Sequence, residues 1–230
     1  MEAIILAGGK AERLGDASGG VPKPLVPVGG RALAAWQVGL LARSGVKRVI
    51  VSCSLGSGEQ FAAALAGLGV EIEIAEEPER LGRGGGILFA ARLRQESGDV
   101  LALNGDELLD IDLATLEQHH RGNGAAATIA VAQPKSPFGV VELEGDRVTG
   151  FAEGGTIECW VSCGVYVLGE DALALFPERG DHETTAFPAL AAAGRLGAFR
   201  HEGLWLTVNT PKDLRRAEEY VAEHPEWLDD

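Results

Sequence analysis

The sequence predicts an α/β fold in which a mostly parallel sheet is covered by helices on both faces. In the first half of the chain, short β-type runs alternate with segments whose apolar residues recur at helical spacing. These runs are apolar at nearly every position, which is typical of strands buried on both faces of a parallel sheet. The chain has 230 residues, of which 46% are hydrophobic, so we expect one domain over residues 1–230 with a substantial core.

The first half supplies the parallel part of this sheet. We predict strands at 3–7, 49–51, 70–74 and 100–103, and helices at 32–42, 60–68 and 85–93. Gly45 follows the first helix at a position where glycine commonly ends helices.

The second half has more strands and fewer helices. We predict strands at 128–131, 140–143, 147–151 and 161–168, and helices at 171–176, 185–193 and 211–221. Glu144-Gly145-Asp146 is typical of a tight hairpin turn between two of the strands. This half is therefore expected to extend the sheet and to form a wall of the substrate site.

The composition excludes several kinds of partner. A net charge of −14 argues against binding to nucleic acid, but a few local cations can still form a site for a small anion. The chain has no apolar stretch of membrane-spanning length, and its N-terminus lacks the basic leader of a signal peptide. No membrane partner is therefore expected. Three cysteines without CxxC spacing favour a reduced, cytoplasmic protein. The acidic segment 223–230 is expected to be a soluble end.

A glycine pair follows the first predicted strand, in Leu6-Ala7-Gly8-Gly9. Ligands of open α/β sheets bind beyond the carboxyl ends of the strands, where glycines let backbone N–H groups approach a phosphate closely. Arg13 can add a charge-assisted hydrogen bond to the same phosphate. Such a pair is also typical of a simple turn, and the spacing matches neither GxGxxG nor GxxxxGK[ST].

Two further charged residues follow rigid or buried segments. Lys23 lies between prolines that stiffen the chain, which favours a fixed anion ligand over an ordinary solvated lysine. Asp106 follows the predicted strand at 100–103, where a carboxylate can hold Mg²⁺ against a triphosphate. A capping role for Asp106 in a turn is an equally good interpretation of that position alone.

Eight motifs occur in an order that resembles the sugar-1-phosphate nucleotidyltransferases over nearly the whole chain. They are LAGGKAERL (6–14), PKPLVPV (22–28), LGRGGG (81–86), NGD (104–106), FGVV (138–141), FAE (151–153), CGVY (163–166) and TVNTPKDL (207–214). The chain is most similar to the short guanylyltransferases for mannose or manno-heptose 1-phosphate, and the muramic-acid phosphate uridylyltransferases look similar too. The resemblance implies a Rossmann-like sheet with a small antiparallel sugar-binding extension, a nucleotide-binding half at about 1–110 and a sugar-binding half at about 111–230.

The resemblance also implies a role for each matching residue. Arg13 would hold the β- and γ-phosphates, Lys23 would neutralise charge at the transferred phosphate, and Asp106 and Asn209 would bind Mg²⁺. The implied nucleotide contacts are Leu6, Ala7, Gly8, Gly9, Glu76, Glu77, Gly82 and Gly105. The implied sugar contacts are Gly139, Glu153, Ser162 and Gly164.

The chain departs from the family pattern at several of these positions. Thr207 stands where many relatives have a metal-binding Asp, so the metal role passes to Asn209, whose alternative is to cap the helix beginning at Pro211. Gly154 replaces a Lys that contacts the sugar phosphate in the family, and Ser162 replaces an Asn of the sugar wall. Arg83 replaces a small residue, either as a compensating cation or as a solvated side chain.

The base preference depends on Glu76 and Glu77. Guanine presents two adjacent donors that suit one carboxylate, whereas uracil suits an amide, so these residues favour GTP as the partner of the sugar 1-phosphate. A solvated acidic turn is the alternative. Uridylyl or thymidylyl transfer, transfer of CMP or GMP to a non-sugar acceptor, and a regulatory binding protein without turnover also stay open, as does homo-oligomerisation.

Overall fold

The computed structural model describes residues 1–9, 11, 13–136 and 138–224, so most of the acidic segment 223–230 lies outside the described residues. The described strands, numbered in chain order, are β1 (Ala3–Leu6), β2 (Pro27–Val28), β3 (Arg31–Ala32), β4 (Arg48–Ser54), β5 (Glu71–Glu77), β6 (Val100–Asn104), β7 (Glu107–Leu109), β8 (Ala127–Ala132), β9 (Gly139–Glu144), β10 (Arg147–Glu153), β11 (Val161–Leu168), β12 (Leu196–Arg200) and β13 (Trp205–Thr207). The helices are α1 (Leu33–Arg43), α2 (Gly58–Ala64), α3 (Gly82–Ala91), α4 (Leu113–Asn123), α5 (Glu170–Leu173), α6 (Ala186–Ala192) and α7 (Pro211–Glu223).

Seven strands form the main sheet in the order β12-β8-β11-β6-β1-β4-β5. Neighbouring strands pair in parallel except at β11, which runs antiparallel to both β6 and β8. The sheet thus combines strands from both halves of the sequence, with β1 and β6 near its centre. This arrangement confirms the predicted α/β class and the mostly parallel sheet.

Helices cover both faces of the sheet because successive strand residues point to opposite sides. Ile5 packs with residues of α1, α2 and α4 in one buried cluster, whereas Ile4 packs with residues of α3, α5 and α6 in another. A third cluster joins the segment around Val26 and Val28 to Ala217 and Val221 of α7. None of the helices among the described residues is long and apolar enough to span a membrane.

The hairpin β9–β10 is separate from the main sheet, as expected for a small antiparallel extension. Gly145 adopts a positive φ of 58° at the predicted tight turn, a conformation that glycine adopts without steric cost. Val141 pairs with Phe151, and both side chains are exposed.

Several short strands are absent from the sequence prediction. β7 and β13 have three residues each and pair with one another across almost 100 residues of sequence. Segments this short carry no readable periodicity, so their formation depends on the tertiary contact. β5 extends beyond the predicted 70–74 to Glu77, so the alternative interpretation of Glu76-Glu77 as a solvated acidic turn is wrong.

A buried histidine lies beneath α6. His182 is fully buried, stacks on Phe176, and has no hydrogen-bond partner for either ring nitrogen among the described residues. Burial disfavours the charged imidazolium and lowers the pKa of His182 to about 4. Asp181 opposes this shift and Arg83 adds to it, but burial is the largest cause.

We predict that His182 makes the fold sensitive to acid. The unfolded state takes up the proton near pH 6.5 and the folded state only near pH 4, so stability falls as the pH decreases through that window. A shift of this size corresponds to a loss of about 3 kcal/mol. His182→Phe, which cannot titrate, should flatten this part of the curve in urea unfolding between pH 7 and pH 4. His119→Phe, at an exposed histidine, should retain the acid sensitivity; equal curves for both variants would contradict the assignment.

Candidate functional site

Three motif segments meet at the carboxyl ends of β1 and β6. The Gly105 N–H donates to the Leu6 carbonyl at 2.8 Å, next to the glycine pair that follows β1. A side chain at Gly105 would lie 2.6 Å from that carbonyl and 2.9 Å from the ring of Pro24. The absence of a side chain at Gly105 therefore lets the Lys23 segment approach the strand that precedes Asp106.

Lys23 is the centre of the site. It lies in a short 3₁₀ helix, Lys23–Leu25, which Pro22 and Pro24 fix in direction. Its buried ammonium donates hydrogen bonds to Asp106 Oδ2 at 2.5 Å and to Asn209 Oδ1 at 2.5 Å. The structure therefore brings together three residues that the sequence predicted for one site, from three segments far apart in the chain.

Asn209 is directed toward Lys23 by its neighbours. Its amide Nδ2 donates to Thr207 Oγ1 at 2.9 Å, which leaves Oδ1 facing the ammonium. The N-cap of α7 is Thr210, whose side chain accepts from the Asp213 N–H in a capping box. The alternative in which the Asn209 side chain caps this helix is therefore wrong.

The oxygen atoms around Lys23 fit a magnesium site. Asp106 Oδ2 and Asn209 Oδ1 converge on one cationic atom, so the ammonium occupies a position that a metal ion could take. No group of three or more His, Cys, Asp or Glu side chains suited to a metal occurs in the described part of the chain. Mg²⁺ commonly binds through one or two protein ligands and completes its shell with water and phosphate, so two oxygens suffice here.

Hydrogen bonds from helix α1 hold the turn that carries Asp106. Gln37 of α1 donates from Nε2 to the carbonyls of Asn104 and Glu107, at 2.6 and 2.9 Å. Burial, followed by the charge of Asp106, raises the pKa of Glu107 well above its usual value. Trp205 donates to Glu107 Oε2 at 2.9 Å. Sequence reasoning missed both Gln37 and Glu107, because neither falls in a recognisable motif.

A cleft of about 280 Å³ opens above these residues. It is lined by Gly9, Ala11, Arg13, Lys23, Arg80, Asp106 and Asn209. Three of these side chains are cationic and one is anionic, so the cleft is locally positive in a chain of net charge −14. This arrangement can attract a compact anion such as a phosphate.

A second, more open cavity of about 520 Å³ adjoins the cleft and shares Gly9 and Ala11 with it. Its lining includes Ala7, Ser54, Ser57 and Gln60. The two cavities together run along the glycine-rich segment after β1, with the positive charge at one end.

The two glutamates at the end of β5 accept hydrogen bonds from the protein itself. Glu77 is buried; its Oε1 accepts from the Ser52 hydroxyl at 2.9 Å and its Oε2 from the Leu81 N–H at 3.1 Å. Glu76 Oε1 accepts from the Gly58 N–H at 2.7 Å. Neither residue lines the two cavities, although Glu77 lies beside Gly8.

The start of α3 packs against a distant loop. Gly82 has a positive φ of 80°, and a side chain there would lie 2.6 Å from the Gly180 carbonyl. That carbonyl accepts from the Gly84 N–H at 2.9 Å and so caps the helix. Arg83 forms ion pairs with Asp181 at 2.5 Å and Glu183 at 2.7 Å, so it is not simply solvated.

The four sugar-site candidates lie outside the lining of both cavities. Gly139 pairs with Glu153 across the β9–β10 hairpin. Gly164 has a positive φ of 75° and packs against Asn104, where a side chain would lie 2.7 Å from Nδ2. Ser162 is exposed, with its hydroxyl 3.4 Å from that of Tyr166. Gly164 therefore supports the Asp106 turn, while Gly139 and Glu153 belong to the separate hairpin.

Comparisons with known proteins give consistent matches. The family model described as "Nucleotidyl transferase" matches residues 2–224. The chain is 30% identical to the mannose-1-phosphate guanylyltransferase catalytic subunit beta of Xenopus tropicalis, over 99% of this chain and 68% of that protein. It is 31% identical to the mannose-1-phosphate guanylyltransferase of Mycobacterium tuberculosis, over 94% of this chain and 63% of the relative. The solved inositol-1-phosphate CTP transferase from T. maritima shares the fold, with a TM-score of 0.76 at 22% identity over 96% of this chain and 94% of that one.

We predict that Gly105→Ala disrupts the site through the backbone. The added methyl group would meet the Leu6 carbonyl and Pro24, which cannot move independently, at a cost of about 1–3 kcal/mol. Gly122→Ala is the matched control, because that helical glycine has open space around it and the change should stabilise α4 by up to about 1 kcal/mol. Chemical denaturation of both variants checks the contrast; equal stability of the two would contradict it.

Proposed function

We propose that this chain, which belongs to the nucleotidyl transferase family, transfers the GMP part of GTP to a mannose-type sugar 1-phosphate and releases pyrophosphate. The products are pyrophosphate and a GDP-sugar. The observation that carries this proposal is the Lys23 ammonium between Asp106 and Asn209 in a positively charged cleft. The family predicted from the eight sequence motifs is confirmed.

The mechanism that fits this site is an in-line displacement. An oxygen of the sugar phosphate attacks the α-phosphorus of the nucleotide, and the bond to the pyrophosphate group breaks. Lys23 would neutralise charge at the transferred phosphate, and Arg13 would hold the departing phosphates. The N–H groups of Gly8 and Gly9 would fix the nucleotide phosphates. Leu6, Ala7 and Gly105 would shape the nucleotide site through their backbone, because the Ala7 and Gly105 N–H groups already donate to the Ser52 and Leu6 carbonyls. Catalysis would then consist of positioning and charge stabilisation.

Asp106 and Asn209 would hold Mg²⁺, which when bound supplies positive charge to the phosphates. Because Lys23 donates to both of these oxygens, its ammonium would have to turn toward the nucleotide phosphate to leave them to the metal. Its flexible four-carbon stem permits that movement without a change in the backbone.

Three lines of support favour guanine as the base. The two curated relatives described above are named guanylyltransferases, at 30% and 31% identity. Glu77 lies against Gly8, beside the proposed phosphate segment, and Glu76 precedes it in β5. A carboxylate suits the paired donors of guanine. Glu76 and Glu77 already accept hydrogen bonds from the protein, so either carboxylate would contact the base through a lone pair that these bonds do not use. Gly82 would contribute its backbone to the same nucleotide site.

We further propose that residues 111–230 supply the sugar contacts of one domain whose residues 1–110 bind the nucleotide. Gly139 and Glu153 on the hairpin would face the sugar hydroxyls, with Ser162 and Gly164 beside the Asp106 turn.

The three cysteines form no disulfide among the described residues, which agrees with a cytoplasmic setting.

Pyrophosphate release with Mg²⁺ tests the function directly. We expect release with GTP and a mannose-type or heptose 1-phosphate, in a panel that also contains ATP, CTP, UTP and dTTP. Release with UTP or dTTP instead would retain the reaction and overturn the base assignment. Nucleotide binding without turnover across a broad panel would favour a regulatory protein. Gly154 and Thr207 support that interpretation, because they replace a phosphate-binding Lys and a metal-binding Asp of the family.

We predict different effects of substitution at Asp106, at Asn209 and at Thr210, which caps α7. Asp106→Ala should lower kcat at least about 100-fold, because loss of this metal ligand would remove the positive charge that stabilises the transition state. Asn209→Ala should raise the Mg²⁺ concentration for half-maximal activity by about tenfold or more, because even outer-shell changes weaken metal binding about 10- to 100-fold. Thr210→Ala should instead cost about 1 kcal/mol of stability with an unchanged magnesium titration. Identical magnesium titrations for the unaltered chain and Asn209→Ala would remove Asn209 from the metal site.

We predict that Glu77→Gln shifts the base preference from GTP toward UTP. The amide oxygen can still accept from the Leu81 N–H, and its NH₂ group can donate to the Ser52 hydroxyl, so the fold should tolerate the change. The ratio of kcat/KM for GTP and UTP is the measurement, with Glu76→Gln measured beside it. An unchanged ratio in both variants would contradict the guanine argument from these residues.

A further inference from the structure

An arginine that no sequence motif marked lines the proposed phosphate cleft. Arg80 lies in the loop between β5 and α3 and borders the 280 Å³ cleft together with Arg13 and Lys23. Its guanidinium has neither a hydrogen bond nor an ion pair within residues 1–9, 11, 13–136 and 138–224. Arg80 therefore brings a charge to the cleft that these parts of the protein do not neutralise.

The neighbouring arginines differ from Arg80 in this respect. Each of them forms an ion pair with at least one carboxylate: Arg83 with Asp181 and Glu183, Arg92 with Glu178, and Arg179 with Glu79. These pairs hold α3 and its preceding loop against the 178–183 segment. The Arg80 side chain, which faces the cleft, takes no part in this packing.

The loop that carries Arg80 is fixed next to it. The Leu81 N–H donates to Glu77 Oε2 at 3.1 Å, and the Leu81 carbonyl accepts from the Gly180 N–H at 2.7 Å. Both backbone groups of the adjoining residue are therefore held. A fixed backbone reduces the entropy that the arginine loses when it binds a ligand.

The charge balance of the cleft favours a phosphate. Asp106 is the anionic residue among the described lining residues, and it already accepts a hydrogen bond from Lys23. Arg13 and Arg80 thus present two guanidinium groups to the same space. The planar fork of a guanidinium matches two oxygens of a phosphate, and charge-assisted bonds of this kind are among the strong hydrogen bonds of proteins.

We propose that Arg80 is a phosphate ligand of the transfer reaction and acts together with Arg13 on the phosphates that Lys23 does not reach. This inference rests on the proposed function, because it assigns a substrate contact within that site. The phosphate belongs either to the departing pyrophosphate or to the sugar 1-phosphate, and the two sources are separated below.

The test compares Arg80→Gln with Arg179→Gln in the full chain. Both variants remove one exposed positive charge, but Arg179 pairs with Glu79 and does not line the cleft. Calorimetry with inorganic pyrophosphate and with mannose 1-phosphate, each with EDTA present, measures binding without metal or turnover. We expect Arg80→Gln to weaken binding of at least one probe by about 10- to 100-fold, the range for a lost charge-assisted hydrogen bond. Arg179→Gln should bind both probes as the unaltered chain does.

Steady-state kinetics identify the source of the phosphate. A rise in KM for the triphosphate assigns Arg80 to the pyrophosphate group, and a rise in KM for the sugar 1-phosphate assigns it to the acceptor. Arg80→Lys, which keeps the charge without the fork, should recover part of the lost affinity.

The inference is overturned if Arg80→Gln and Arg179→Gln bind both probes equally, or if the unaltered chain binds neither probe. Equal binding in the two variants, with normal turnover by the unaltered chain, would remove Arg80 and leave the proposed function intact. Weakened binding in Arg80→Gln, with no turnover by the unaltered chain, would retain the phosphate site and remove the proposed reaction.

Discussion

The buried ammonium of Lys23 is the constraint on which the rest of the site depends. A lysine in this position is tolerated because Asp106 and Asn209 each accept a hydrogen bond from it, at 2.5 Å. The two acceptors lie 83 and 186 residues from Lys23 in the sequence. These two hydrogen bonds therefore fix the relative positions of the proline-rich segment, the end of β6 and the start of α7.

The fold supplies that contact through close backbone approaches. Gly105 lies close to both Leu6 and Pro24. Gln37 of α1 holds the turn around Asp106 by hydrogen bonds to the carbonyls of Asn104 and Glu107. The pairing of β13 with β7 places Thr207 opposite Glu107, so that Asn209, two residues further on, lies close to Asp106. The positive surface above this framework then follows from Arg13 and Arg80, whose guanidinium groups face a cleft in an otherwise acidic protein.

The sequence predicted the parts of this molecule that have strong local patterns. The parallel sheet followed from apolar runs, and β11 has the predicted limits of 161–168. Lys23, Asp106 and Asn209 could be grouped because their motifs match one family in order. The ion pairs of Arg83, the hydrogen bonds of Glu77 and the position of Arg80 at the cleft could not be predicted, because each depends on a loop or strand that tertiary packing brings close.

Crystals grown with Mn²⁺ in place of Mg²⁺ and a GTP analogue with a non-cleavable α–β bridge would show whether Asp106 and Asn209 bind the metal. Anomalous diffraction locates the metal without reference to any assumed ligand. We expect a peak bound by Asp106 and Asn209 and by a phosphate oxygen, with the Lys23 ammonium moved from at least one of its two present acceptors toward the nucleotide. A peak on the nucleotide alone, with Lys23 still bonded to both oxygens, would contradict it.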